Sequence, residues 1–371
     1  MNFLNEQKST GQFQEDWLQI EELYTKKLWH QLTLKCLEFV NNAQVQKSQI
    51  LVPMYEKFIT DFEHRINQLS LVEMCLPIVR QYKDPSLSVS FLEKLREKIK
   101  SEKEAAVLVD SALGAIHLEN KNLDMAKKYV EQTEGELSEL EGVTSVHSRF
   151  YEFSSNYYRT IGNHFEFYKN ALKFLGCVKY EDVPVGERHE RAFYLCLAAI
   201  LADGIYNFGE LLMHPILSAL SGTKDQWLVD FLYAFNRGDL DKFEALRPNW
   251  TQQADLKAAE VKIRQKICLL CLMEMAFQRP ASNKQLTFGQ VAEKTKLPED
   301  EIELLVMRAL SLGLVKGSID QMDKKIFIRW VQPRVLDINQ IKIMRQRLDC
   351  WSLEVNKMIG QVQSNACDIL T

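Results

Sequence analysis

The sequence predicts an all-α chain: a TPR-like solenoid of helix pairs, then a small module of three short strands and two helices, then one long helix. Three observations predict it. Apolar residues recur at three- and four-residue spacing through most of the first 280 residues. Helix breakers are sparse, with 9 prolines and 15 glycines in 371 residues, and they fall mostly between the periodic segments. After Arg279-Pro280-Ala281 the pattern changes to short alternating runs, and from Asp337 it returns to one uninterrupted helical stripe.

The helices come first in the chain. Trp17, Ile20, Leu23, Tyr24, Leu28 and Leu32 form one apolar stripe, and Ala105, Leu108, Val109, Ala112, Leu113 and Ile116 form another. The breaks resemble one another: Asn120-Lys121-Asn122-Leu123-Asp124, Gly162-Asn163-His164-Phe165-Glu166 and Asn236-Arg237-Gly238-Asp239-Leu240. Each offers a Gly or Asn for a left-handed C-cap, then a carboxylate near the next helix start. Asn120, Gly162 and Gly204 are spaced by 42 residues, which reads as an irregular repeat. One helix pair cannot bury its apolar face alone, so such pairs stack and share a core. A single irregular helical bundle is the other all-α arrangement that fits.

The module after Ala281 has its own order. Leu286-Thr287-Phe288 reads as a short strand, and Thr287 with Gln290 has the spacing of a capping box for a helix over Gly289–Lys294. Pro298 and the carboxylates Glu299, Asp300 and Glu301 open a second helix that runs to Leu312, with Gly313 as its cap. Leu314–Ile319 and Lys325–Val331 read as a hairpin, with Ile326, Ile328 and Trp330 alternating on one face. Strand, helix, turn, helix, hairpin is the order of a winged helix.

The last helix runs from Asp337 to about Ile369. Its apolar positions Ile341, Met344, Leu348, Trp351, Val355, Met358 and Val362 step by 3 and 4 in turn, a coiled-coil seam. Such a seam calls for a partner helix, or for folding back onto the chain's own solenoid.

Composition bounds the function. Hydrophobic residues make up 46% and charged residues 26%, as in ordinary globular chains. The net charge of −4 advertises no polyanion partner. The longest apolar run, Ala192–Ala202, has 11 residues, where a membrane span needs roughly 20. Met1–Trp17 lacks the apolar stretch of a secretory signal. The eight cysteines are scattered among apolar residues, which suits reduced core thiols in a reducing compartment.

Signatures of chemistry are missing. There is no Gly-rich phosphate loop, no H-E-x-x-H and no His-x-His pair among the seven histidines. Cys268-Leu-Leu-Cys271 has no second pair near it to complete a zinc site, and it sits in an apolar helix, so it reads as core. No catalytic, cofactor-binding or metal-binding residue is assigned, and no enzyme activity or cofactor is expected. A DNA-reading winged helix would point the start of its second helix at bases and phosphates. Here that start carries Glu299, Asp300, Glu301 and Glu303, which would repel phosphates; Lys316, Lys324, Lys325 and Arg329 in the hairpin keep the nucleic-acid alternative open.

A helical repeat, a winged helix and a terminal helix together resemble the PCI domain, found in subunits of the proteasome lid, the signalosome and a translation initiation complex. Leu269–Met275, Glu303–Ser311, Gly313–Asp320, Trp330–Asp337 and Asp368–Thr371 resemble the proteasome-lid branch most closely. The resemblance implies a non-catalytic structural lid subunit, cytoplasmic and nuclear, supporting ATP- and ubiquitin-dependent protein degradation. Its partners would be other lid subunits, chiefly those with PCI domains, in a hetero-oligomer with no small-molecule substrate and no membrane. In that family winged helices pack side by side and C-terminal helices gather into one bundle. The implied interface residues are Leu314, Val315, Lys316, Gly317, Ser318 and Ile319 on the winged-helix edge, and the Ile341–Val362 seam. The implied domains are 1–250 (solenoid), 251–335 (end of the PCI helical part and winged helix) and 336–371 (bundle helix). Another PCI complex, a winged-helix nucleic-acid binder, and an enzyme with a pocket of perturbed carboxylates are the rival readings.

Overall fold

The computed structural model describes residues 13–48, 50–82, 84–99, 102–140, 142–279, 284–336 and 338–365. Pro280, Ala281, Asp337, Cys367 and the Asp368–Thr371 terminus lie outside them. The chain divides into two compact units, 1–182 and 183–371, so the segment expected as solenoid crosses the division.

The first unit is helical throughout. Its α-helices are α1 (Gln14–Thr25), α2 (Trp29–Asn41), α3 (Ala43–Lys47), α4 (Leu51–Lys57), α5 (Gln68–Val79), α6 (Pro85–Lys98), α7 (Lys103–Glu119), α8 (Leu123–Ser138), α9 (Ser145–Ile161) and α10 (His164–Cys177). Helices α7 and α8 form one hairpin, and α9 and α10 the next. Helices α2, α5, α7 and α9 touch in succession, so the hairpins share a continuous core, as stacked repeats require. Arg96 on α6 ties to Asp110 on α7 at 3.0 Å, and Asp110 is almost fully buried. Burial pushes the Asp110 carboxyl up, and the Arg96 guanidinium opposes that push.

The helix ends follow one rule. After α9, Gly162 takes φ 81° and closes the Tyr158 and Arg159 carbonyls with the amides of Asn163 and Gly162. This is the Schellman pairing. The first break uses the same pairing, but its left-handed residue is Lys121 (φ 59°), because Asn120 stays right-handed as the helix continues. Lys27 (φ 56°) likewise ends α1, so the stripe read from Trp17 to Leu32 is cut in two, with Leu28 exposed at the break. Gly204 has φ 87° but lies past a helix whose C-cap is the extended Ala202.

The second unit holds α11 (Val185–Leu201), α12 (Gly209–Met213), α13 (Gln226–Arg237), α14 (Leu240–Ala245), α15 (Arg247–Trp250), α16 (Ala254–Ala258) and α17 (Glu260–Gln278). The apolar run Ala192–Ala202 lies on α11 and in its cap, buried along most of its length. No helix among the described residues is long and apolar enough to cross a membrane. Helix α17 is buried at every residue from Ile267 to Met273, the mark of a helix enclosed by its neighbours. Phe231, Phe235, Phe243 and Trp250 pack ring to ring beside it, with centroids 5.0–6.2 Å apart.

The winged-helix order follows in the same unit: β1 (Gln285–Thr287), α18 (Phe288–Thr295), α19 (Glu299–Ser311), β2 (Val315–Asp320) and β3 (Lys325–Val331). Phe288 belongs to α18 rather than to the strand, because the Thr287–Gln290 capping box starts the helix there. The strands are antiparallel in the order β1-β3-β2, with Leu286 facing Ile326 and Ser318 facing Phe327. Helix α20 (Ile338–Asn365) ends the described chain.

Candidate protein-interaction surfaces

The winged helix offers a sheet edge. Strand β2 pairs with β3 on one side and with no strand among the described residues on the other. An unpaired edge presents backbone donors and acceptors that can extend a neighbour's sheet. The six residues expected there divide by burial. The side chains of Leu314 and Val315 are buried, on the side of the sheet that meets α19, so an edge contact at these two positions would be made by backbone alone. Lys316, Gly317 and Ser318 are exposed, and Ile319 is half-buried. A register shift opens at Lys316/Gly317, where Lys316 faces Trp330 and Gly317 faces Ile328. This leaves Arg329 unpaired in the ladder and breaks the alternation expected through Trp330, which is exposed. Only glycine fits at 317, since a Cβ would stand 2.1 Å from the Phe327 carbonyl oxygen.

The three hairpin lysines are engaged locally. Lys316 Nζ lies 4.8 Å from the Trp330 ring centroid. Lys324 pairs with Glu299 at 3.2 Å and Lys325 with Asp323 at 2.8 Å. Arg308 donates to Gln265, away from the start of α19. The outward face of α19 instead shows Asp300, Leu304 and Met307. An apolar and acidic face at this position suits protein rather than phosphate. Leu304 and Met307 were not singled out in the sequence, because their spacing also matches the helix's buried stripe.

The second surface is α20. Every residue from Ile341 to Asn365 is exposed. The seam residues range from 40% exposed at Val355 to 68% at Met358, so none of them is buried against another part of the described chain. Its 28 residues extend about 42 Å at 1.5 Å per residue. A stripe this long and this dry on one side is unusual for a chain that works alone.

Nothing among the described residues gathers into a metal site. Cys268 and Cys271 are buried on α17, and burial pushes both thiols up to about 11, which makes them poor ligands and poor nucleophiles. Cys350 departs from the core-thiol expectation, because it sits exposed on α20. A groove of about 520 Å³ in the first unit is walled by α5, α6, α7 and α9, with Arg80, Arg149, Glu119 and Glu152 among the residues that line it.

The comparisons with known proteins agree with this architecture. The family model for PSD13 N-terminal repeats matches residues 16–232, and the PCI domain model matches residues 240–330. The 26S proteasome non-ATPase regulatory subunit 13 of Dictyostelium discoideum is 38% identical over 95% of this chain and 93% of its own length. Homolog B of that subunit from Arabidopsis thaliana is 36% identical over 100% of this chain and 99% of its own. The 26S proteasome regulatory subunit RPN9 of Saccharomyces cerevisiae is 33% identical over 95% and 93%. Full-length similarity to these relatives, on repeats followed by a PCI domain, shows that the chain belongs to the family of 26S proteasome non-ATPase regulatory subunit 13.

Proposed function

We propose that this chain is a non-catalytic structural subunit of the lid of the 26S proteasome regulatory particle. It supports ATP- and ubiquitin-dependent degradation by holding other lid subunits, chiefly those with PCI domains, in the cytoplasm and nucleus. The β2 edge pairs with a neighbouring winged helix, and α20 enters a bundle with partner helices. The observation that carries the reading is the seam: seven apolar residues at heptad spacing, all exposed, on one helix. Burying such a side chain contributes about 1–2 kcal/mol, so the seam stays in water only at a standing cost.

The test is a pair of charges on that seam. Leu348→Glu and Trp351→Glu leave the isolated chain folded, because both side chains already face solvent. Each blocks incorporation into the lid, read by native gels and by pull-down of the other subunits. Normal incorporation of both variants overturns the proposal. The nucleic-acid alternative predicts salt-dependent binding to duplex DNA or RNA, which the engaged hairpin lysines and the acidic start of α19 oppose.

A further inference from the structure

A seam recognises a partner in one orientation only if the helix that carries it leaves the protein in one direction. The connector before α20, Gln332–Leu336, is tied to its own unit by contacts distant in sequence. The Arg334 guanidinium pairs with the Glu274 carboxylate of α17, and both side chains are nearly buried, at 10% and 14% exposure. Arg334 Nη1 also donates to the Asn236 carbonyl at the end of α13, at 3.1 Å. The next residue is held by other means. Val335 N donates to Asn207 Oδ1 at 3.4 Å, and the same oxygen accepts from Gly209 N at 3.2 Å. The Val335 side chain lies against Gly209 so closely that a Cβ there would stand 2.4 Å from Val335 Cβ. Upstream, Gln332 N donates to the Leu314 carbonyl at 2.8 Å.

The loop that carries Asn207 is anchored in turn. Lys266 Nζ donates to the carbonyls of Ala199, Ile200 and Ala202 at 2.8, 3.0 and 2.8 Å, which caps the C-terminal end of α11 with a buried cation. The fully buried Phe208 ring faces the same ammonium at 5.3 Å. Four elements (α13, α17, the α11–α12 loop and the start of α12) therefore converge on two consecutive residues.

We propose that Arg334 and Val335 form a bracket that sets the launch direction of α20, so that the seam is presented in one orientation before any partner arrives. Arg334, Glu274, Asn207 and Gly209 are positioning residues: they act through the helix and touch no partner. The bracket's purpose rests on the reading of α20 as an interface, but its existence does not.

Double electron–electron resonance on the full chain tests it. One spin label sits at the wing tip through Met322→Cys and the other on the native Cys350, with Cys177→Ser and Cys367→Ser to keep labelling to two sites. The bracket predicts one narrow distance distribution in this parent. Arg334→Ala widens it at least twofold, and Gly209→Val, which collides with Val335, shifts or widens it. Glu274→Gln, which keeps size and removes charge, widens it less; it serves if Arg334→Ala does not fold. A broad distribution in the parent overturns the bracket, as does an unchanged narrow one in both Gly209→Val and whichever of Arg334→Ala or Glu274→Gln folds. Leu348→Glu should leave the distribution unchanged while blocking incorporation. If it blocks incorporation in a chain whose distribution is broad, the bracket fails and the interface reading stands. If the distribution is narrow and both Leu348→Glu and Trp351→Glu incorporate normally, the interface reading fails and the bracket stands.

Discussion

Helices α7 and α20 carry similar apolar periodicity and meet opposite fates. On α7, Ala105, Leu108, Val109 and Leu113 are buried against α5, α6, α8 and α9. On α20 every seam residue is in water. The periodicity of a helix states that one face needs cover. It does not state whether the cover comes from the same chain. In α7 the cover is a neighbouring repeat a few tens of residues away, which chain connectivity makes cheap to recruit. In α20 no further helix of the described chain is placed to supply it.

That contrast can be broken most forcefully inside α7. Val109→Asp puts a carboxylate into a fully buried position without a partner, and should lower the stability of the first unit by on the order of 4 kcal/mol in a urea melt. An effect below about 1 kcal/mol would show that α7 is not enclosed as described.

Next in size is the buried cation of the second unit. Lys266→Met keeps the stem's volume but strips three carbonyls of their donor, and should cost about 3 kcal/mol of the second unit's stability, read by thermal unfolding. Burial, opposed by the Asp203 carboxylate, pulls the Lys266 ammonium down to about 7, and three carbonyls that need three N–H groups favour the charged form. A stabilised Lys266→Met variant would show that burial dominates.

The seam should respond least. Leu348→Ala and Trp351→Ala each change the stability of the isolated chain by less than about 0.5 kcal/mol, because both side chains are more than half exposed. A larger loss would mean that α20 folds back on its own chain in solution. Thiol labelling sharpens the same point without a mutation. Iodoacetamide should modify Cys350 in the native chain while sparing Cys36, Cys75, Cys196, Cys268 and Cys271, as peptide mass spectrometry would report. Protection of Cys350 in the isolated chain would contradict an exposed α20.

Much of the fold was legible because its signals are local. The Thr287–Gln290 box, Pro298 with its carboxylates, and Gly313 each state a boundary within four residues, and the structure has all three where the sequence puts them. What escaped is also physical. Lys27 and Lys121 adopt φ values that nothing in lysine's chemistry advertises, so the helix ends they make were misread. The bulge beside Lys316 left no mark in the alternation, since Ile326, Ile328 and Trp330 look regular on paper. Burial of Leu314 and Val315 depends on what lies beneath β2, and the exposure of Leu304 and Met307 on which side of α19 meets its neighbours.

By itself, the sequence determined the helix pairs, the winged-helix order, the apolar seam and the acidic start of α19. These depend on residues three, four or two apart, where spacing and chemistry are enough. Only the tertiary structure decided that β2 is an edge, that the hairpin lysines are engaged, and that Arg334 and Val335 meet Glu274, Asn236, Asn207 and Gly209. The pairings of Arg334 and Val335 join residues between 60 and 128 positions apart, and no local pattern encodes a contact that exists only once the chain has packed.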